Sequence, residues 1–430
     1  MGNDGVERGA PKGTAQAPSA GQRWSRRLLV PFASLENRDF RLLWFGQLGQ
    51  ASSMWAEQVA RSWLTWQLTG SATALGLVNL FRAVPLIALG MLGGVAADRF
   101  DKRKILVAIQ LWSLAIYIVM AVLILGGWIR LWHIYLTAFL LGGGMAMNQP
   151  VRTSLIPQLL EGRLLVNALS LNSVAINVTR LIGPAAIGFL IAIAGGNVGP
   201  AYVVSAVLYT LVLLSTLMIR IPAQAVTERT TSIIGDMAEG FRYMLLENRT
   251  VLALVVMAAG PLAFAFSYLT LLPVFVTDVL GMGSSAFGLM QSVAAVGALV
   301  GGLTLASRGD IPNKGKVMLA TGVTYGAVVM VLGGLHASLL AFGIMVLAGA
   351  SQTIFRATNN STLLQISPPQ LRGRVVGIMS IDAGIQSLAA VLAGVMTDLW
   401  SVSAALVIIG AICVGIVSLT WVSAPSVRRL

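Results

Sequence analysis

The chain has one cysteine and two histidines among its 430 residues. Cys413 sits inside an apolar run, so no intrachain disulfide can form and the redox compartment is unmarked. His133 and His336 fall near the ends of apolar stretches, are not spaced as metal ligands, and read as interfacial residues. Charge is also scarce. Asp, Glu, Lys and Arg make up 10% of the residues and hydrophobic types 56%, whereas charged residues form about a quarter of an ordinary soluble domain. A soluble chain of this length has no interior large enough to hide so much apolar surface. No glycine-rich phosphate loop with a following Lys-Ser/Thr is present, which argues against ATP as an energy source. No His/Cys cluster or nucleophile constellation points to an enzyme, and no cofactor or metal is expected.

What the sequence does have is runs of roughly twenty apolar residues, recurring from Phe40 to the C-terminus. They predict an all-α membrane protein with about twelve transmembrane helices. The first six are expected near 40–68, 71–97, 105–127, 131–155, 164–194 and 201–219, and the second six near 251–276, 284–307, 317–335, 337–364, 375–399 and 403–421. The residues divide into a disordered tail (1–37), a six-helix half (38–219), a polar connector (220–249) and a second six-helix half (250–430). The tail is rich in Gly, Ala, Ser, Pro and Arg. Its Arg26-Arg27 pair precedes an apolar stretch too short for a signal-peptide core. Within the connector, 233–246 reads as an amphipathic helix on the membrane surface.

The net charge of +13 would suit nucleic acid, but its distribution points to a membrane. An N-terminus on the cytoplasmic side puts the tail, the 98–104 loop, Arg152, Arg163, the connector, Arg308, Lys314, Lys316, Arg372, Arg374, Arg428 and Arg429 on that same side. The other side keeps essentially Arg130. This asymmetry sets the orientation, with both termini cytoplasmic. The halves also resemble each other at an offset of about 210 residues, as expected of a parallel repeat. Gly93-Gly94 before Arg99 recurs as Gly301-Gly302 before Arg308, and Gly183 aligns with Gly394.

Charges inside apolar helices cost about 2.5–3.5 kcal/mol each at the helix centre and need a reason. Glu57 and Arg61 lie one turn apart in the first helix. With Gln47, Gln50, Met54 and Thr65 they fall in an arc of about 80°, a polar stripe expected to face water inside the protein. Glu57 is either a group for substrate or proton exchange, or simply the i,i+4 counter-ion of Arg61. In the tenth helix Gln352, Arg356, Asn359 and Asn360 share a side. Arg356 lacks a carboxylate within a turn, and Asp382 is its candidate partner. Arg82 and Arg180 are also near mid-membrane, where structural ion pairing is as good a reading as substrate contact. Asn148 and Arg152, flanking Pro150, read as a helix-end bend.

The loop after the second helix holds Gly94, Asp98, Arg99, Lys102 and Arg103, in the pattern Gly-x-x-x-Asp-Arg-x-x-(Lys/Arg)-Arg. It resembles the loop signature of the major facilitator superfamily. Arg180, Gly183, Pro184 and Gly188 in helix five permit a kink and close helix packing, and resemble the Gly-Pro signature of the superfamily's exporters. Further matches run from Phe40-Arg41-Leu42-Leu43-Trp44, through Gln149-Pro150-Val151-Arg152, to Leu371-Arg372-Gly373-Arg374-Val375. Together they resemble the branch of enterobactin exporters and macrolide efflux proteins over nearly the whole chain after the tail. That resemblance implies the major facilitator fold and proton-driven export from the cytoplasm by alternating access. It also implies that the Asp98/Arg99/Arg103 loop latches the halves when the cavity faces out. Two departures stand out: Asp101 occupies a usual glycine position, and the arginine signature of helix four is missing. By elimination Glu57 is left as the candidate proton carrier.

The reading is therefore a secondary active transporter in a bacterial inner membrane. It exports an amphipathic small molecule such as a drug, macrolide or siderophore-like metabolite, with protons as coupling ion. The expected setting is a monomer in the lipid bilayer without nucleic acid. An importer or lipid transporter of the same fold, a non-transporting receptor or scaffold, and a channel are the alternatives.

Overall fold

A computed structural model describes residues 30–99, 101–220, 242, 244, 248–309, 312–368, 371 and 382–430, with side chains from 32 onward except those of 91–99. Among them the regular elements are helices. The first six are α1 (Arg38–Thr69), α2 (Ala72–Arg99), α3 (Lys102–Leu125), α4 (Leu131–Leu159), α5 (Gly162–Ile193) and α6 (Gly199–Met218). The second six are α7 (Arg249–Val279), α8 (Ser284–Ser307), α9 (Lys314–Gly334), α10 (Ser338–Ile366), α11 (Asp382–Leu399) and α12 (Val402–Ser423). Nine of these are long and apolar enough to cross a bilayer. The other three are α1 and α4, whose polar residues are buried (Gln47, Glu57, Arg61; Asn148, Arg152), and α11, which is described only from Asp382.

Local chemistry explains most boundaries. Asn37 caps α1 by accepting hydrogen bonds from the Asp39 and Phe40 N–H groups, and Gly70 ends it with φ +56°. Asp101 caps α3, its carboxylate accepting from the Arg103 and Lys104 N–H groups. Its φ is −57°, so the backbone there does not need the usual glycine, and an aspartate starts the helix instead.

Four expectations change. The end of the presumed tail is a short 3₁₀ turn, Val30–Glu36, in which buried Ser34 donates from Oγ and N–H to Asn167 Oδ1. Helix α4 runs on through Pro150 and Pro157 to Leu159. Arg152 therefore lies inside the bundle rather than at a bend, and donates to the Leu43 carbonyl at 2.9 Å. Helix α7 is irregular, with π-helical turns at Gly260–Phe264 and Phe275–Val279 around a 3₁₀ turn at Ala265–Ser267. Pro261 and Pro273 remove ladder donors and crowd the preceding turn, which accounts for the loosened winding. The fourth concerns the internal repeat and appears at the seams between halves. The 233–246 surface helix, residues 1–29 and 372–381 lie outside the described residues, apart from 242 and 244.

Within the first six helices α2 packs on α4, and α1 on α5 and α6; within the second six, α8 packs on α10 and α9 on α12. Two seams join the halves, α2 against α11 and α5 against α8. Both depend on glycine. A methyl group on Gly188 would meet the Ser284 carbonyl at 2.5 Å, one on Gly288 would run into the Pro184 carbonyl, and one on Gly394 would run into the Ala72 carbonyl. Each of Gly188 and Gly394 thus meets the first turn of the opposing helix. The repeat therefore matches Gly394 with Gly188 rather than with Gly183, which packs on Trp55.

Gly288→Ala should lower thermal stability in detergent by the equivalent of about 1–3 kcal/mol, because the backbone of α5 leaves no room. Gly343→Ala, with nothing within 4 Å, should be neutral or slightly stabilising.

Candidate functional site

The polar stripe of α1 meets α2 in an ion cluster. Glu57 is 2% exposed and Arg61 3%. The Arg61 Nε donates to Glu57 Oε1 at 2.6 Å, and the Arg82 Nη1 donates to Glu57 Oε2 at 2.6 Å. One carboxylate thus holds two guanidiniums, one on each oxygen. Arg61 Nη1 also donates to Asn79 Oδ1 at 3.3 Å, and Asn79 Nδ2 donates to Thr270 Oγ1 at 3.0 Å. The chain Glu57–Arg61–Asn79–Thr270 therefore crosses from the first half to the second. Burial makes such a cluster all-or-none: taking away one partner strands charge in a low-dielectric interior at a cost of about 3–5 kcal/mol.

Beside this cluster lies a cavity of ≈ 710 Å³ between the halves, lined by residues of α1, α2, α4, α5, α7, α8, α10 and α11. Arg61 and Arg82 present their outer faces to it, while Glu57 sits behind them, so the stripe's carboxylate is not itself on the wall. Arg180 and Arg356 enter from opposite halves. Arg180 lies over the Trp55 ring at 5.9 Å and Arg356 over Phe266 at 6.0 Å, cation–π arrangements, and both arginines line the cavity. Gln58, Asn79, Gln291, Gln352, Asn360 and Gln386 supply neutral polar groups.

Two expected partners fall elsewhere. Asn359 is 1% exposed and off the cavity wall. Gln352, Arg356 and Asn360 follow each other at i+4, and Asn359 lies about 60° from Arg356, just beyond Gln352 at the buried edge of that row. Asp382 feels the charge of Arg356 but closes no ion pair with it within 4.0 Å; its neighbours Ala383 and Gln386 line the cavity instead. In helix five, Pro184 lines the cavity while the following Ala185 N–H donates to Ser292 Oγ of α8 at 3.1 Å. Gly183 and Gly188 serve packing, as their size suggested.

Of the loop signature, the side chains of Gly94, Asp98 and Arg99 lie outside the described residues. Lys102 opens α3, and the Arg103 guanidinium donates to the Leu217 carbonyl at the end of α6, within its own half.

Described contacts between halves run from the midplane to the end of the bundle that carries Gly70 and Ser401. There Trp63 stacks on Phe287 at 5.9 Å and Trp66 Nε1 donates to Thr277 Oγ1 at 2.9 Å. Asp398 accepts from Ser71 Oγ and the Ala72 N–H, both at 2.7 Å, and from the Thr73 N–H at 3.0 Å. A carboxylate of α11 thus caps the N-terminus of α2 in the other half. Sequence reading had passed over Asp398, Asn79 and Phe266. A lone Asn in an apolar helix was a usable signal for Asn79; an Asp at a helix end beside a loop was not.

The chain matches the model of the transmembrane secretion effector family over residues 29–427. It is 26% identical to the staphyloferrin A transporter of Staphylococcus aureus over 84% of this chain and 91% of that one. It is 25% identical to the multidrug efflux pump Tap of Mycolicibacterium fortuitum (79% and 84%) and 23% identical to macrolide efflux protein A of Streptococcus pyogenes (81% and 86%). Among solved structures, the nucleoside transporter NupG superposes with a TM-score of 0.71 at 13% identity, covering 90% of this chain and 98% of that one. A bacterial homologue of the human lysosomal transporter Spinster, in an inward-facing and unoccupied conformation, gives 0.70 at 14% identity (93% and 98%). These likenesses carry the fold, and the family match carries the class: the protein is a multi-pass membrane transporter of the major facilitator superfamily, in the transmembrane secretion effector family.

Proposed function

We propose that this transporter expels an amphipathic small molecule from the bacterial cytoplasm across the inner membrane by alternating access. The observation that carries the proposal is the charged cavity between the halves, bounded at one end by contacts between them. The basic end of the bundle, with Lys102–Lys104, Lys314 and Arg428–Arg429, is the cytoplasmic end under the positive-inside rule, with both termini on that side. The closed end is then the outer one, and the conformation is the inward-facing state that receives cargo. Residues 38–219 and 250–430 rock as two bodies on the α2–α11 and α5–α8 seams, with 220–249 as connector, in a protein working as a monomer in the lipid bilayer. Relatives named as siderophore, multidrug and macrolide transporters support export and leave the cargo broad.

Energy comes from the proton gradient, and Glu57 is the proposed proton-exchanging group. A proton on Glu57 would break two ion pairs at once, freeing Arg61 and Arg82 and loosening the Asn79–Thr270 bridge. Its alternative role is that of a fixed counter-ion, and flux measurements separate the two. In inverted vesicles carrying the wild-type protein, a fluorescent efflux dye should accumulate when a proton gradient is imposed. Glu57→Gln should lose that gradient-driven accumulation, and dye exchange without a gradient should persist if the role is coupling. Loss of both, with unaltered folding, would leave Glu57 as a counter-ion only.

Asp398 holds the outer end shut. Asp398→Asn should remove the charge and one of the two acceptor oxygens, weaken the three hydrogen bonds of this cap and favour the outward-open state. A cysteine placed at cavity-lining Ser62 should then react several-fold faster with an impermeant maleimide applied from outside. The native Cys413 is buried and gives little background.

A further inference from the structure

Among the described residues, the cavity wall carries four arginines (Arg61, Arg82, Arg180 and Arg356) and no carboxylate. Glu57, from behind the wall, balances one of the pair it touches. Counting Asp382 as well, which interacts with Arg356 without contacting it, two positive charges remain in excess. Arg180 and Arg356 come from different halves and are close enough for their like charges to act on each other. Neither forms a described ion pair; each lies on an aromatic ring instead. Guanidiniums without a counter-ion are costly at this depth in a membrane protein even when they face a cavity, and the arginine fork matches a planar carboxylate bidentately. A cationic drug would add to this excess rather than neutralise it.

We infer that the cargo of this cavity is an anion with at least two carboxylate-type groups, bridged between Arg180 of the first half and Arg356 of the second. This deepens the efflux reading and rests on it for the direction of transport. An anion spanning both arginines ties the halves together through the cargo, whereas a neutral or cationic cargo leaves Arg180 and Arg356 repelling one another. The aromatic faces of Trp55 and Phe266 and the neutral amides around them are suited to the uncharged body of such a molecule.

The test uses purified full-length protein with succinate, citrate and butanetetracarboxylate as probes, their methyl esters as uncharged counterparts, and ethidium as a cation. Binding is read by quenching of tryptophan fluorescence, since Trp55 lies in the wall, and by thermal stabilisation. Affinity should rise with the number of carboxylates and fall by about tenfold or more on esterification. Arg180→Gln and Arg356→Gln should each weaken carboxylate binding by about tenfold or more, with Arg356→Lys in between, because it keeps the charge and loses the fork. All variants should elute as monodisperse protein, since both side chains reach into open space.

Equal or better binding of the esters or of ethidium overturns the inference, as does carboxylate binding that both Gln variants leave unchanged, or no carboxylate binding up to the solubility limit. Accumulation of ethidium in inverted vesicles in any of those cases keeps the efflux reading while discarding the anion. Absence of all binding and all flux discards both.

Discussion

One carboxylate holding two guanidiniums in an apolar slab is the interaction on which the rest of this structure depends. A charge in such an interior is costly without a partner. Glu57 permits Arg61 and Arg82 to stand at mid-membrane, and those two arginines give the adjacent wall its charge. Asn79 then relays the cluster to Thr270, so the electrostatic centre of the first half is in contact with α7 of the second. A change in the charge of Glu57 is therefore felt by residues of both halves.

The seams supply the freedom that such a change needs. Helices α2 and α11, and α5 and α8, approach through glycines whose missing side chains bring backbones together. Small-residue seams carry little side-chain interdigitation, as the proposed rocking of the halves requires. At the end of the bundle that carries Gly70 and Ser401 the closing contacts are of another kind: a ring stack, an indole hydrogen bond and the Asp398 cap. These are few and separable. The irregular winding of α7 brings Phe266, Leu269 and Thr270 to the cavity between its two π-helical turns, and makes that helix the least regular wall of the site.

Much of this was legible in the sequence, because a membrane simplifies the problem. Apolar runs give the membrane-spanning helices without any contact being known. The charges that membrane insertion penalises, Glu57, Arg61, Arg82, Arg180 and Arg356, also marked themselves. Pairing was harder to read. Glu57 was assigned to Arg61 by its spacing in one helix, but its second partner comes from another helix, and no periodicity links positions 57 and 82. Asp382 looked like the partner of Arg356 because nothing nearer carried a negative charge. Asn359 seemed part of a stripe that in space follows a stricter i+4 row. Asp398 was hidden because an acid at a helix end has many ordinary reasons to be there, and only the opposing α2 N-terminus gives it a function.

In the proposed cycle the two halves exchange which end is closed around a charged cavity. The most direct measurement is the distance between spin labels at Asn197, in the turn between α5 and α6, and Ser401, between α11 and α12, in opposite halves at the end of the bundle that the Asp398 cap closes. In a lipid bilayer without cargo, one short distance is expected. Adding a transported compound, or replacing Asp398 with Asn, should populate a second and longer distance. A single unchanged distance under all conditions, in protein that still binds and moves its cargo, would contradict rocking of the halves.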